Sequence, residues 1–166
     1  QEYRKPANVL ERPKGNLAEM LVAGELAAAI GVGKVESPDV KPLIPDPAAA
    51  EAAWYRKTGI YPINHTVVVK DTVLQSDPSI APRLFAGFEA AKTQFLKKLS
   101  DGSELPPDAA VLAKRRSIVG DDPLPNGLER NRKALEAIIR FAHEQKILPR
   151  MIKSEEMFAA NTLNLE

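Results

Sequence analysis

Between Ile80 and Leu99 the apolar residues Ile80, Leu84, Phe88, Ala91, Phe95 and Leu99 recur at helical spacing, directly after an Asp77-Pro78 pair. An aspartate that can cap, followed by a proline whose fixed φ suits a first turn, marks where such a helix starts. A second stretch repeats the pattern. Leu128, Leu135, Ile138, Ile139 and Ala142 form one stripe ending before Pro149, and Asn126 with Glu129 has the spacing of a capping box. Nearer the start, Asn16 with Glu19 predicts another cap. The stripe of Leu17, Met20, Leu21, Leu26 and Ile30 behind it is interrupted by Gly24 and predicts a helix leading into a short strand.

The remaining chain is punctuated. Gly31, Gly33, Pro38, Pro42, Pro45 and Pro47 are too dense for regular structure, so residues 31–47 are expected to be loop with at most a short strand. A brief helical turn is expected over Ala48–Ala53, and a shorter helix from about Asp108 to Arg116 after the Pro106-Pro107 break. Ser154 is placed to cap a last turn around Met157 and Phe158. In contrast, Val67, Val68 and Val69 are three β-branched residues in a row. A short continuous apolar run of this kind suits a strand covered on both faces, with Pro62 near its start where no ladder donor is needed.

Composition removes several classes of function. The 166 residues can bury a core, and 23 basic against 22 acidic side chains leave a formal net charge of +1. Such a balance gives no field for nucleic acid or an anionic membrane. No apolar run reaches the length of a membrane span. With no cysteine there is no disulfide, thiolate nucleophile or thiolate metal site, and neither His-x-x-x-His nor Glu-x-x-His spacing occurs. The sequence therefore names no metal ligand, although His65 and the carboxylates leave metal binding open; no cofactor is assigned, and Gly31-x-Gly33 is too short for a phosphate loop.

The run from Ala53 to Val69 concentrates the side chains that could carry chemistry. Asn64 and His65 stand where the expected strand emerges from a loop, and element ends of this kind carry ligand groups in open α/β proteins. An imidazole can donate or hold a proton near neutral pH, although a histidine pinned by hydrogen bonds at a strand start is the plain alternative. Arg56 offers a planar fork that matches a carboxylate, or else is a solvated charge. Trp54, Tyr55 and Tyr61 could stack on an aromatic ring or direct a hydroxyl at it, or could serve packing alone. His143, between Arg140 and Lys146 at a helix end, reads as structural.

The order and spacing of several segments resemble the family of 4,5-dihydroxyphthalate decarboxylase and its relatives, which is similar to the type II periplasmic solute-binding proteins. These segments are Asn16-Leu17-Ala18-Glu19-Met20-Leu21 with Gly24-Glu25-Leu26, the run through His65, and Gly120-Asp121-Asp122-Pro123 with Pro125, Gly127-Leu128-Glu129 and Asn131-Arg132. His143-Glu144-Gln145 and Glu155-Glu156-Met157-Phe158-Ala159 complete the set. The chain departs from the pattern at Ala27, where an acidic residue is usual, and at Leu124 and Asn126, where aromatics are usual. The resemblance implies an α/β fold, part of a two-lobed architecture with ligand between the lobes, of which this chain would be the helix-rich C-terminal half. Residues 1–59 would then finish the second lobe and cross over, and residues 60–166 would return to the first.

The same resemblance implies a lyase that decarboxylates 4,5-dihydroxyphthalate or a similar hydroxylated aromatic carboxylate, or alternatively a solute-binding protein of a transporter that captures such a ligand unchanged. In the lyase reading His65 donates the proton, Tyr55 or an acid from the other half accepts at the phenol, and Arg56 clamps the remaining carboxylate. Asn64, Trp54 and Arg116 are further substrate-binding candidates. Arg116 is included because the loop after Arg115-Arg116 could reach the cleft mouth, unless these charges pair with Asp121-Asp122. A cytoplasmic location goes with the lyase and a periplasmic one with the solute-binding protein. Starting at Gln1 and about half as long as family members, the chain reads as the second half of a longer protein or a product of processing or cloning. It would pair with the missing N-terminal half or form a homo-oligomer.

Overall fold

The computed structural model describes residues 7–11, 15–101, 103 and 109–166, with the backbone alone at Ala110. Among the described residues every regular element is a helix: α1 (Leu17–Val22), α2 (Pro47–Thr58), α3 (Asp71–Ser76), α4 (Ile80–Asp101), α5 (Ala109–Val119) and α6 (Leu128–Glu144). Two 3-10 turns, Ser154–Met157 and Ala160–Thr162, follow. Backbone contacts divide the chain into two compact units, residues 1–51 and 52–166.

The first unit is built around α1. Asn16 Oδ1 accepts from the amides of Ala18 and Glu19 at 3.0 and 3.4 Å, and Asn16 Nδ2 donates to Glu19 Oε1 at 3.0 Å. This reciprocal cap satisfies amides that have no intrahelical partner. The helix ends after six residues, and Gly24 adopts a φ of +74° directly beyond it. Leu26 and Ile30 therefore lie outside α1, and no strand follows. Residues 31–46 hold no regular element, as their proline and glycine density requires.

Where a brief turn is expected over Ala48–Ala53, α2 instead runs for twelve residues. Pro47 occupies its first position and Asp46 Oδ1 accepts from the Ala49 amide at 3.0 Å. Both are start signals, and the alanine-rich sequence that follows has nothing to stop it before Gly59, at φ +66°. Trp54, Tyr55, Arg56 and Lys57 are consequently helical.

The second unit has its core on α6, whose Leu128, Ala134, Leu135, Ala137 and Ile139 are buried together with Ala109 and the fully enclosed Pro123. Helix α6 packs on the Ser154–Met157 turn, α4 on the Ala160–Thr162 turn and α3 on α4. The long apolar periodicity of α4 is realised over residues 80–101, and α5 extends to Val119 rather than Arg116. The expected start of α5 near Asp108 lies outside the described residues.

Two expected caps are replaced. Gly127, at φ +91°, precedes α6 without a side-chain cap, because Asn126 turns away to donate to Glu89 Oε1 at 2.7 Å while Glu129 engages Arg132. At the last turn Ser154 is itself the first residue, and it is Glu156 that accepts from the Lys153 amide at 2.8 Å.

The expected buried strand is corrected as well. Residues 60–70 are in no regular element, and Val67 and Val68 are 62% and 88% exposed. A β-branched run becomes a ladder only where a second extended segment lies alongside, and the described residues supply none. The described structure is thus helix-rich rather than α/β.

Candidate functional site

Two cavities occur in the second unit, and they share Pro125 and Asn131 in their walls. The larger is an apolar groove of about 850 Å³ between the extended residues 63–69, one face of α4, the loop at 124–128 and the turns at 156–162. Leu84, Phe85, Phe88 and Phe95 supply its α4 wall, and His65 stands at its edge. The smaller is a polar cleft of about 390 Å³ where Tyr55 and Gly59 from the end of α2 meet Tyr61, Asp122, Arg130 and Lys133.

A charged network borders both spaces, with Lys92 on the groove and Asp122 and Arg130 on the cleft. Lys92, on the otherwise apolar face of α4, has a side chain only 8% exposed. Its Nζ lies 2.7 Å from Glu89 Oε1 and 3.1 Å from Asp122 Oδ2, and Arg130 Nη2 reaches Asp122 Oδ2 at 2.9 Å. Burial alone would raise the carboxyls of Glu89 and Asp122. For Glu89 the hydrogen bonds from Lys92 and Asn126 outweigh that effect, and for Asp122 those from the Leu124 amide and Lys92 do, so both groups are held below the ordinary carboxylate range. The network ties α4 to α6 through the 121–127 loop.

The same loop is anchored from its other side. Tyr61 Oη donates to the Pro123 carbonyl at 2.9 Å, and the rings of Tyr55 and Tyr61 meet edge to face with centroids 6.2 Å apart. Asn131 Nδ2 donates to the carbonyls of Pro125 and Gly127, both at 2.8 Å. Lys133 lies against Gly59, where a Cβ would stand 3.1 Å from its Nζ, and it has no carboxylate within ion-pair distance among the described residues.

The candidates from the sequence separate accordingly. His65 lines the apolar groove and Tyr55 the polar cleft. Asn64, Trp54 and Arg56 are exposed and line neither cavity, and among the described residues His65 and Arg56 have no hydrogen-bond or ion-pair partner. Arg116, on α5, donates to Ser100 Oγ at 3.1 Å and pairs with Asp121 at 3.2 Å, which occupies its fork. Lys92, Glu89, Arg130 and Lys133 were not singled out from the sequence. A lysine on the apolar stripe between Phe88 and Phe95 is the signal for the first of them, since a charge on such a face needs a partner. Among the described residues no group of three or more His, Cys, Asp or Glu side chains could hold a metal ion, and no helix is long and apolar enough to cross a membrane.

Comparison with known proteins gives this geometry a context. No family model matches the chain. The chain is similar to a decarboxylase: it is 28% identical over 161 residues to a curated protein, covering 91% of this chain and 49% of that protein. That relative is the 4,5-dihydroxyphthalate decarboxylase of Comamonas testosteroni. The chain therefore spans about half the length of the curated relative it matches, and the likeness seen in the order of its segments extends over nearly all of it.

Proposed function

We propose that this chain is part of an enzyme that removes carbon dioxide from a hydroxylated aromatic carboxylate, with 4,5-dihydroxyphthalate as the substrate to test first. The observation that carries the reading is the similarity over 91% of the chain to a protein named for that reaction. The chemistry has defined needs. Breaking an aryl–carboxylate bond directly would leave an aryl carbanion, so the ring carbon must be protonated, with a para hydroxyl supplying electrons as it loses its own proton. Carbon dioxide then departs and the bond electrons restore the ring. The site must supply a proton donor, an acceptor at the phenol and a cation for the carboxylate that stays.

In this proposal His65 is the donor, Tyr55 or an acid beyond this chain is the acceptor, and Arg56 holds the remaining carboxylate, with Asn64, Trp54 and Arg116 as further contacts to substrate. Support comes from the unpartnered state of His65 and Arg56 among the described residues and from the place of Tyr55 beside Tyr61 in the polar cleft. The architecture that goes with it is two-lobed, with the chain crossing between lobes near residue 59, in a cytoplasmic enzyme.

The test is His65→Ala and Arg56→Ala in the protein that contains this chain, assayed for turnover of 4,5-dihydroxyphthalate. Loss of a general acid lowers turnover by a factor on the order of 100 or more, whereas loss of a carboxylate clamp chiefly raises KM. Turnover within a few-fold of wild type in both variants would contradict the assignment, and tight binding with the ligand recovered unchanged would point to a solute-binding protein instead.

A further inference from the structure

The polar cleft at the end of α2 is lined by four charged side chains, Asp122, Glu129, Arg130 and Lys133, and three of them are already matched. Asp122 is bound by Lys92 at 3.1 Å and by Arg130 at 2.9 Å, and Glu129 accepts from Arg132 Nε at 3.0 Å. Lys133 alone has no carboxylate partner among the described residues. An exposed lysine without a partner ordinarily extends its head into water, but this one is folded back onto the chain. A Cβ at Gly59 would stand 3.1 Å from its Nζ and 3.5 Å from its Cδ, so the ammonium occupies room that exists because residue 59 has no side chain. Gly59 closes α2 at a φ of +66°, its amide donating to the Tyr55 carbonyl at 2.7 Å. The carbonyl end of a helix favours a cation at this place with the equivalent of about half a charge, which holds the ammonium without neutralising it.

The other walls suit a flat anion. The Tyr61 hydroxyl is committed to the Pro123 carbonyl, whereas the Tyr55 hydroxyl makes no hydrogen bond among the described residues, so the cleft holds two polar groups without partners, one of them cationic. Asn131 fixes the wall at Pro125 and Gly127 through two hydrogen bonds of 2.8 Å, and the cleft is therefore formed before a ligand arrives. Its volume of about 390 Å³ stands at the small end of the range for ligand pockets, about 300–1,000 Å³, and suits a single ring. We infer that the cleft binds the carboxylate of a single-ring aromatic acid, with Lys133 as the cation that recognises it and Tyr55 beside the ring. The aromatic ring rests on the decarboxylase proposal above, and the preference for an anion rests on the unmatched charge. Lys133 thereby adds a cation inside the cleft to Arg56, which lines neither cavity.

The test is calorimetric titration of the protein that contains this chain with 3,4-dihydroxybenzoate, the acid left when 4,5-dihydroxyphthalate loses one carboxyl, and with catechol, the same ring without a carboxylate. Lys133→Met should raise the Kd of the acid at least about tenfold, the size of one lost charge-assisted hydrogen bond, and that of catechol less than about twofold. Lys133→Arg, which keeps the charge, should bind the acid within about threefold of wild type. Lys57→Met, which removes a cation from the last turn of α2 that lines neither cavity, should bind it within about twofold. Because the Lys133 side chain is exposed and makes no hydrogen bond, its variants should unfold in urea as the wild type does. Three results would overturn the inference: no binding of the acid, a Kd in Lys133→Met within about threefold of wild type, or an equal loss for the acid and for catechol. Lys133-dependent binding of the acid in a protein that does not turn over 4,5-dihydroxyphthalate would leave the inference standing and count against the decarboxylase proposal alone. Turnover together with acid binding indifferent to Lys133 would do the reverse.

Discussion

Replacing Lys92 with methionine removes the cation from the centre of the network while keeping most of the side-chain volume. Its Nζ is 2.7 Å from Glu89 and 3.1 Å from Asp122, whose side chains are 24% and 17% exposed. Breaking a buried ion pair from one side costs about 3–5 kcal/mol, because the other charge remains in place without compensation. Here the orphaned carboxylates keep other partners: Asn126 at 2.7 Å on Glu89, and Arg130 and the Leu124 amide, both at 2.9 Å, on Asp122. The cost therefore falls to or just below the low end of that range, about 2–3 kcal/mol at pH 7. Its pH dependence has a definite sign. Both carboxyls are held below their ordinary values in the folded wild type, so their stabilisation is present above the unfolded pKa, near 4, and is lost as pH falls through the folded values. The wild-type advantage should thus shrink as the pH is lowered from 7 to below about 4. Urea unfolding followed by circular dichroism at both ends of that range measures it. A difference below about 0.5 kcal/mol at pH 7, or one that does not change with pH, would refute the reasoning.

Other substitutions test the loop and helix ends. Gly127→Ala should destabilise by about 3 kcal/mol in urea unfolding, since φ is +91° there and a Cβ would stand 2.6 Å from the Leu165 carbonyl oxygen. Lys146→Gly should stabilise by about 1 kcal/mol in the same assay. Lys146 holds a φ of +61° at the end of α6, where its amide and that of Ile147 donate to the carbonyls of His143 and Ala142 at 2.9 and 2.8 Å, a closure that glycine makes without a Cβ penalty. Glu156, hydrogen-bonded by Arg150 at 2.7 Å and by the Lys153 amide, should titrate at about 2 in carboxyl-detected NMR. The Arg150→Ala variant should move that midpoint up toward the ordinary 4.5.

Local signals were legible where no distant partner competes for the side chain. Asn16 and Glu19 cap α1 as their spacing implies, the stripes of α4 and α6 become helices, and Arg116 pairs with nearby Asp121. Two failures share a cause, which is that the deciding partner is distant or absent. The Val67–Val69 run has strand composition, but a strand is a property of two segments and the second is not among the described residues. Asn126 has the spacing of a cap, yet Glu89, 37 positions away, takes its amide. The helical turn expected over Ala48–Ala53 was too short for a different reason, since the Asp46-Pro47 start and the alanine run carry α2 on through Trp54 to Thr58. That Tyr55, Tyr61 and His65 are chemically capable side chains was legible from residue type. Their separation into a cleft and a groove was not, because it depends on α2 continuing to Thr58 and on Tyr61 anchoring to Pro123.

The proposal that this chain is part of an aromatic-acid decarboxylase is tested most directly by supplying the protein that contains it with 4,5-dihydroxyphthalate carrying ¹³C in both carboxyl groups. Labelled carbon dioxide and the ring product are then followed together by NMR. The account predicts one equivalent of labelled carbon dioxide per equivalent of a dihydroxylated monocarboxylate formed. Substrate bound but recovered with both labels in place would contradict it.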